Sequence, residues 1–592
     1  MRFMAMACDY DGTLATHGRV DDQTVKSLER CLESGRKLLM VTGRELPELL
    51  EIFPYANLFE WIVAENGALL YRPATKQEIP LAPPPSEEFV SLLRAKGITR
   101  ISIGRVIVAT WQPHETTVLR AIRDLGLELQ VIFNKGAVMV LPSGVNKATG
   151  MFKALAEMGL SPHNVVAVGD AENDHALLAG SEAGVAVANA VPMLKEHADM
   201  VAKDTHGAGV QELVERLLTN DLADLEPRLT RHHLLLGHEP DGTEFKIQPF
   251  RPNLLIAGTT GGGKSTVAAA VIERLAEKGY QVCVIDPEGD YGELPEAVSI
   301  GTPKQSPNVD AVIKLLSTTS QTVVVNLLGI AIQDRPNFFL SLLGRIQDLR
   351  ANFGRPHWLV VDEAHHVWPT NWQPGELHTP QRLDRTLLIT LEPTLLPEAV
   401  LKTVDMLIAV GKQPAQTLRL FAEANGIATP TAKCDDLEQG DFLVWEAKTD
   451  AKPKLVKIRP ARGPLQRHIR KYAEGELEPE RSFYFRGPDR RLNLRAQNLI
   501  MFLQIADGVD DETWNFHLRQ GDYSQWFRKK IKDTELAEET RKVESGCEMS
   551  AAESRRQIRE LVEARYTLPA TPATPVSARV ASSEERGKSP AV

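Results

Sequence analysis

Met4-Ala5-Met6-Ala7-Cys8-Asp9-Tyr10-Asp11-Gly12-Thr13 is the stretch around which the first domain of the chain is organised. An apolar run predicts a strand, and it ends in two carboxylates and a glycine turn. Asp9 and Asp11 are two apart, so at strand spacing both leave the chain on the same side. Carboxylates so placed repel each other unless a cation lies between them. The pattern predicts a metal-dependent site at the C-terminal end of a strand, where open α/β sheets bind ligands. Alone, the same residues are better explained by a turn.

Working outward, the chain alternates helix and strand. Residues 20–34 carry helical periodicity (Val25, Leu28, Leu32), and Gly35 ends the helix. The strand Lys37–Val41 ends in Thr42-Gly43-Arg44, and Trp61–Ala64 ends in Glu65-Asn66-Gly67-Ala68. After Leu81-Ala82-Pro83-Pro84-Pro85 the pattern changes to an inserted α+β module, about residues 82–143. Lys147 then heads a helix, and the strand Asn164–Val168 ends in Gly169-Asp170-Ala171-Glu172-Asn173-Asp174. The β-α-β alternation predicts a parallel sheet with helices on both faces. Thr42, Lys147 and Asp170 each have a plain reading as cap or surface residue, but the four strand-end features together, in this order, outweigh those readings.

The motifs D-x-D-G-T (Asp9–Thr13), T-G-R (Thr42–Arg44), Lys147 and G-D-x-x-N-D (Gly169–Asp174) resemble the haloacid dehalogenase (HAD) superfamily of phosphohydrolases. The E-N-G-A of Glu65–Ala68 and the long insert resemble its Cof-type subfamily with a C2 (IIB) cap. The resemblance covers residues 1–218 and implies a Mg²⁺-dependent phosphomonoesterase for a small phosphorylated metabolite such as a sugar phosphate. It implies Asp9 as nucleophile and Asp11 as acid and base. Thr42 and Lys147 would hold the phosphoryl oxygens, with Gly43, Arg44 and Asn173 orienting the site. Asp9, Asp11, Asp170 and Asp174 would hold the metal.

Residues 219–250 read as a junction, with Asp241-Gly242 as a hairpin turn. The strand Asn253–Ala257 runs into Gly258-Thr259-Thr260-Gly261-Gly262-Gly263-Lys264-Ser265-Thr266, a full G-x-x-x-x-G-K-[ST] loop between strand and helix. Its backbone N–H groups would wrap phosphates. Lys264 would reach the β/γ-phosphates of ATP, and Ser265 would hold Mg²⁺. Another apolar strand, Trp358–Val361, ends in Asp362-Glu363, read as support for Mg²⁺ and as the residue polarising water. His365 and His366 lack the ligand spacing for zinc. With Asp286-Pro287-Glu288-Gly289-Asp290-Tyr291, these motifs resemble HerA/FtsK-type (DUF87) ATPases over residues 228–460. That resemblance implies a RecA-like αβ domain (251–460), often a hexameric ring acting on DNA or protein. One departure is that the sensor strand ends in Thr390-Leu391-Glu392, where such motors carry a Gln. A carboxylate there would repel phosphate, so either Thr390 senses or hydrolysis is weak.

Residues 461–480 read as a linker, 481–566 as a small helical domain, and the Pro/Ala/Ser/Thr-rich 567–592 as a disordered tail. Arg481–Asp489 resembles a DUF5752-like accessory domain, which implies no known chemistry. Trp514, Trp526 and Phe527 near Arg528-Lys529-Lys530 offer a nucleic-acid reading, but a helical core explains them better. The net charge of −10 argues against nonspecific coating of nucleic acid or anionic membrane. Five scattered cysteines and no long apolar run predict a cytoplasmic protein without a membrane span. Three functions remain open: a two-headed phosphatase–ATPase, a DNA-acting motor with an auxiliary phosphatase, and a phosphatase gated by nucleotide.

Overall fold

The computed structural model describes residues 1–566 except 135, 251, 260, 293, 319, 371–382, 432–436, 439, 450, 462–476, 478, 480, 532 and 547–548. Thr260, most of the expected linker and the expected tail lie outside the described residues. The chain forms two compact units, Met1–Pro464 and Leu465–Val592.

The first unit holds two large sheets. One has eight strands in the order Met200–Val201, Ala183–Ala186, Val165–Gly169, Ala5–Cys8, Lys37–Val41, Trp61–Ala64, Leu69–Arg72, Gln77–Pro80. The first six are parallel, and the last two are antiparallel. The parallel part follows from helical crossovers between strands. After Ala64 the chain has too few residues before Leu69 for a crossover, so the next strand must turn back. The central strand Ala5–Cys8 is buried on both faces, which is why it reads as a continuous apolar run.

The insert packs the helices Glu87–Ala95 and Glu115–Asp124 on a four-stranded antiparallel sheet, ordered Ser102–Ile103, Val108–Trp111, Ala137–Pro142, Leu129–Asn134. Phe89, Leu93, Val118 and Val140 give it a core of its own.

The second sheet has eleven strands. Seven are parallel: Met406–Val410, Leu254–Gly258, Thr386–Thr390, Trp358–Val361, Val282–Asp286, Thr322–Asn326 and Ala297–Ile300. Asp441–Glu446, Lys454–Ile458 and the hairpin Leu234–His238/Glu244–Ile247 extend it antiparallel. Gly242, at φ +88°, closes the hairpin, and Thr243 N–H bonds the Asp241 carboxylate. No helix among the described residues is long and apolar enough to cross a membrane.

The second unit pairs a short hairpin, Phe483–Phe485 with Leu494–Ala496, with helices from Leu499–Gly508 to Ala551–Tyr566. Trp514, Trp526 and Phe527 are buried in its core, so these rings are packing residues and offer no stacking face to a base.

Candidate functional site

The first site forms where four strand ends and one helix start converge. Asp9 follows the central strand and is buried. Asn146 caps the helix Lys147–Glu157 through a reciprocal bond pair with Thr149, which sets Lys147 at its first position. The buried Lys147 Nζ donates to Asp9 Oδ1 and to Asp174 Oδ1, both at 2.6 Å. The second Asp174 oxygen accepts from the backbone N–H of Asp170 and Ala171, each 2.9 Å. Gly169 is required for this turn, because a Cβ there would lie 2.6 Å from the Asp174 side chain. Carboxylate oxygens of Asp9, Asp170 and Asp174 lie within 4.8 Å of one another. Three buried acids around one ammonium leave net negative charge, and the donors are all hard oxygens. That set fits Mg²⁺.

Burial, and next the Asp174 charge, push the Asp9 carboxyl up to about 8, with Lys147 working against them. Burial also opposes the Lys147 ammonium, but Asp174 and Asp9 outweigh it and hold its pKa above the ordinary lysine value. A cation held by the Asp9 carboxylate would have to expel a proton. Mg²⁺ affinity is therefore expected to rise with pH up to about 8, with proton release. Calorimetry in buffers of different ionisation heat reads both, and an affinity flat across neutral pH contradicts the arrangement.

Asp11 lies farther out. Arg44 grips both of its oxygens, Nε to Oδ2 at 2.6 Å and a terminal nitrogen to Oδ1 at 2.7 Å, and also pairs with Glu48. Thr42 is fully buried at the end of its strand and its hydroxyl accepts from Arg44 N–H. Asn173 Nδ2 donates to Asn66 Oδ1 at 2.9 Å. Gly43 faces the insert, within about 4 Å of where Asn173, Met139 and Asn134 would meet a Cβ.

Several contributors were not singled out as site residues in the sequence. Asn189 Nδ2 ties Gly12 O (2.8 Å) to Asp170 Oδ2 (3.4 Å). Gly67, at φ +105°, lets the Asn146 carbonyl approach where a Cβ would sit 1.9 Å away, so the E-N-G stretch seats the Lys147 helix. Glu65 accepts from the backbone N–H groups of Arg105, Val106 and Ile107 at 2.8–3.0 Å, which latches the insert to the sheet. The E-N-G spelling marks this turn, but its partners lie 40 and 80 residues away.

The second site is the glycine loop. Gly258 passes the neighbouring strand so closely that a Cβ would lie 2.1 Å from Val410 O, and Gly262 packs on Gly411. Gly261 and Gly263 adopt φ +76° and +102°, and Thr259 lies against Gly411. Lys264, at the start of the helix Lys264–Glu277, donates back to Gly258 O at 2.9 Å. Ser265 and Thr266 continue that helix. Asp362 and Glu363 are buried at the end of Trp358–Val361, one strand removed from the loop's strand. The intervening strand ends at the buried Thr390, whose hydroxyl meets His365 Nδ1 at 3.3 Å. Glu392 is exposed and bonded by Thr394.

A parallel α/β sheet with clustered acids and a buried lysine at its strand ends defines an enzyme of phosphoryl chemistry, joined here to a P-loop nucleotide-binding domain. Residues 6–103 and 120–214 match the haloacid dehalogenase-like hydrolase family, and residues 245–341 match the family described as helicase HerA, central domain. A phosphoglycolate phosphatase from Methanothermobacter thermautotrophicus is 33% identical over 36% of this chain and 98% of its own length. Phosphoglycolate phosphatase 2 from Saccharolobus solfataricus is 31% identical over 36% of this chain and 93% of its own. A solved haloacid dehalogenase-like hydrolase from Bacteroides thetaiotaomicron is 20% identical, with a TM-score of 0.32, covering 36% of this chain and 100% of that one. Through its N-terminal third the chain belongs to the haloacid dehalogenase-like hydrolase family, and it is a phosphatase of that family fused to a HerA-like domain.

Proposed function

We propose that the N-terminal domain is a Mg²⁺-dependent phosphomonoester hydrolase that works through an aspartyl-phosphate on Asp9. The observation that carries this is the buried cluster in which Lys147 bridges Asp9 and Asp174 beside Asp170. The Asp9 carboxylate attacks phosphorus, and the ester P–O bond breaks. Asp11 gives its proton to the departing oxygen, then takes one from the water that cleaves the Asp9–phosphate bond. The products are an alcohol and inorganic phosphate. Lys147 and Thr42 hold the transferring oxygens. Asp9, Asp170, Asp174 and the Asp11 main chain would hold Mg²⁺, which would neutralise the repulsion between phosphate and carboxylates. The insert serves as a C2 (IIB) cap over the leaving group.

The substrate class is a small phosphorylated metabolite. The named relatives support phosphoglycolate, and a sugar phosphate is the competing choice. Arg44 favours the former, because a substrate carboxylate can take over its fork and release Asp11 to act as an acid. A phosphometabolite panel tests this. Arg44→Ala is expected to raise KM for 2-phosphoglycolate by about tenfold or more and to change KM for a neutral sugar phosphate far less. Equal losses on both contradict the carboxylate reading.

The second domain binds and hydrolyses ATP with Mg²⁺, in this reading, through residues 258–266, Asp362 and Glu363. The alternative is a motor on DNA working as a hexamer, of which the match to a helicase HerA central domain supports the motor part alone. Lys264→Ala is expected to abolish ATP turnover and leave the basal phosphatase rate in place. DNA-stimulated turnover by a hexamer favours the motor, and a DNA-indifferent monomer rules it out. No chemistry is assigned to the C-terminal unit, for which a DUF5752-like identity remains a proposal.

A further inference from the structure

Between the two large sheets of the first unit lies a buried polar joint. Its centre is Glu182, fully buried, with Arg2 on one oxygen at 2.8 Å and His163 Nδ1 on the other at 2.6 Å. The Tyr280 hydroxyl donates to the same carboxylate at 3.2 Å, and its ring stacks on His163 at 3.8 Å between centroids. The other His163 nitrogen meets Lys278 O at 2.7 Å. His357 packs edge-on to both rings, at 5.5 and 5.4 Å. Its Nδ1 accepts from Gln281 N–H at 2.8 Å. Arg2 also lies over the Phe250 ring at 3.3 Å, and Lys278 Nζ donates to Arg231 O at 2.8 Å.

The trio His163, Glu182 and His232 has the residue types and spacing of a metal site. Its carboxylate is already taken by Arg2, His163 and Tyr280, and a cation there would face the Arg2 guanidinium. The geometry describes a joint.

What matters is where the joined elements lead. Lys278 caps the helix that begins at Lys264 in the glycine loop. His357 precedes the strand that ends at Asp362 and Glu363. His163 and Asn164 precede the strand Val165–Gly169, which ends at Asp170. Three regular elements with phosphate or metal residues at their far ends thus start or stop at one place. A 14-residue helix and a 5-residue strand, about 21 and 16 Å long, connect the joint to the two sites.

We propose that this joint couples the sites, so that nucleotide in the glycine loop changes phosphatase activity through His163, Glu182 and Tyr280. This rests on the functional reading above and specifies the regulation of the phosphatase site. Movement of the helix end relative to His163 must either break the Lys278 and Tyr280 bonds or carry the start of the Asp170 strand with it. Buried hydrogen-bonded groups do not separate without cost, so the second course is favoured. Coupling free energies between two sites typically correspond to roughly 5- to 150-fold in affinity.

The test uses the full chain. Its kcat/KM for p-nitrophenyl phosphate is measured with and without a non-hydrolysable ATP analogue, whose binding is followed by titration. The wild type is expected to shift by about fivefold or more. Tyr280→Phe keeps its ring and His163→Phe puts another aromatic ring in place of the imidazole, each removing its side chain's hydrogen bonds in the joint. In these the shift is expected to fall below about twofold while the analogue still binds. An analogue that binds wild type without changing the rate overturns the proposal. So does a shift that survives both substitutions. Hydrogen exchange across residues 165–174 separates this from failure of the phosphatase reading. If no ester is hydrolysed, nucleotide-dependent protection there in wild type and not in the variants still supports the joint, and its absence overturns it.

Discussion

Asp9→Asn is expected to lower kcat for phosphomonoester hydrolysis by about 10⁴-fold or more, as loss of a nucleophile does elsewhere, while ATP turnover stays at its wild-type rate. The Asn amide keeps the shape and leaves an oxygen for the Lys147 ammonium. It removes the oxygen proposed to attack phosphorus, and with it one negative charge of the proposed Mg²⁺ set. Folding should survive the change, because the amide fills the same space and Lys147 keeps its bond to Asp174. Steady-state kinetics on p-nitrophenyl phosphate, with thermal unfolding alongside, measure both. A variant that keeps more than about a tenth of the rate means that Asp9 is not the nucleophile.

Lys147→Ala is the second large effect, and it strikes stability as well as rate. Lys147 is 1% exposed and bonds two buried carboxylates. Removing one partner of a buried ionic cluster leaves uncompensated charge, typically at about 3–5 kcal/mol. In the proposed mechanism the phosphoryl oxygens also lose a charged donor, worth about 10²- to 10³-fold in kcat. Mg²⁺ supplies the missing positive charge, so it should restore much of the stability and little of the rate. Chemical denaturation with and without Mg²⁺ checks this. A variant as stable as wild type without metal would show that the cluster holds no strain for Lys147 to relieve.

The fold was legible in the sequence wherever an apolar run met a polar stop. Ala5–Cys8, Lys37–Val41, Val165–Gly169 and Leu254–Gly258 are buried on both faces, so each reads as continuous apolar sequence ending in acid, threonine or glycine. The edge strand Gln77–Pro80 was not legible, since its side chains are mostly exposed and it carries no pattern. Among site residues, Asp9, Lys147, Asp170 and Asp174 stand out only as an ordered set with Thr42, because each alone reads as a turn, cap or surface residue. Asn189 and Glu65 are ordinary polar residues until the fold brings Asp170 and the insert to them. The joint was hidden for the same reason. His163, Glu182, Tyr280 and His357 are spread over almost 200 residues, and each alone reads as a core or surface group.

The central claim is the covalent step on Asp9, and trapping it is the most direct test. In Asp11→Asn the group proposed to activate water is gone. p-Nitrophenyl phosphate still reacts, because its leaving group needs no proton. Acid quench of a single turnover with labelled substrate, followed by peptide mapping, should place the phosphoryl group on Asp9 and show it accumulating. Turnover with no protein-bound phosphate, or label on any other residue, contradicts the account.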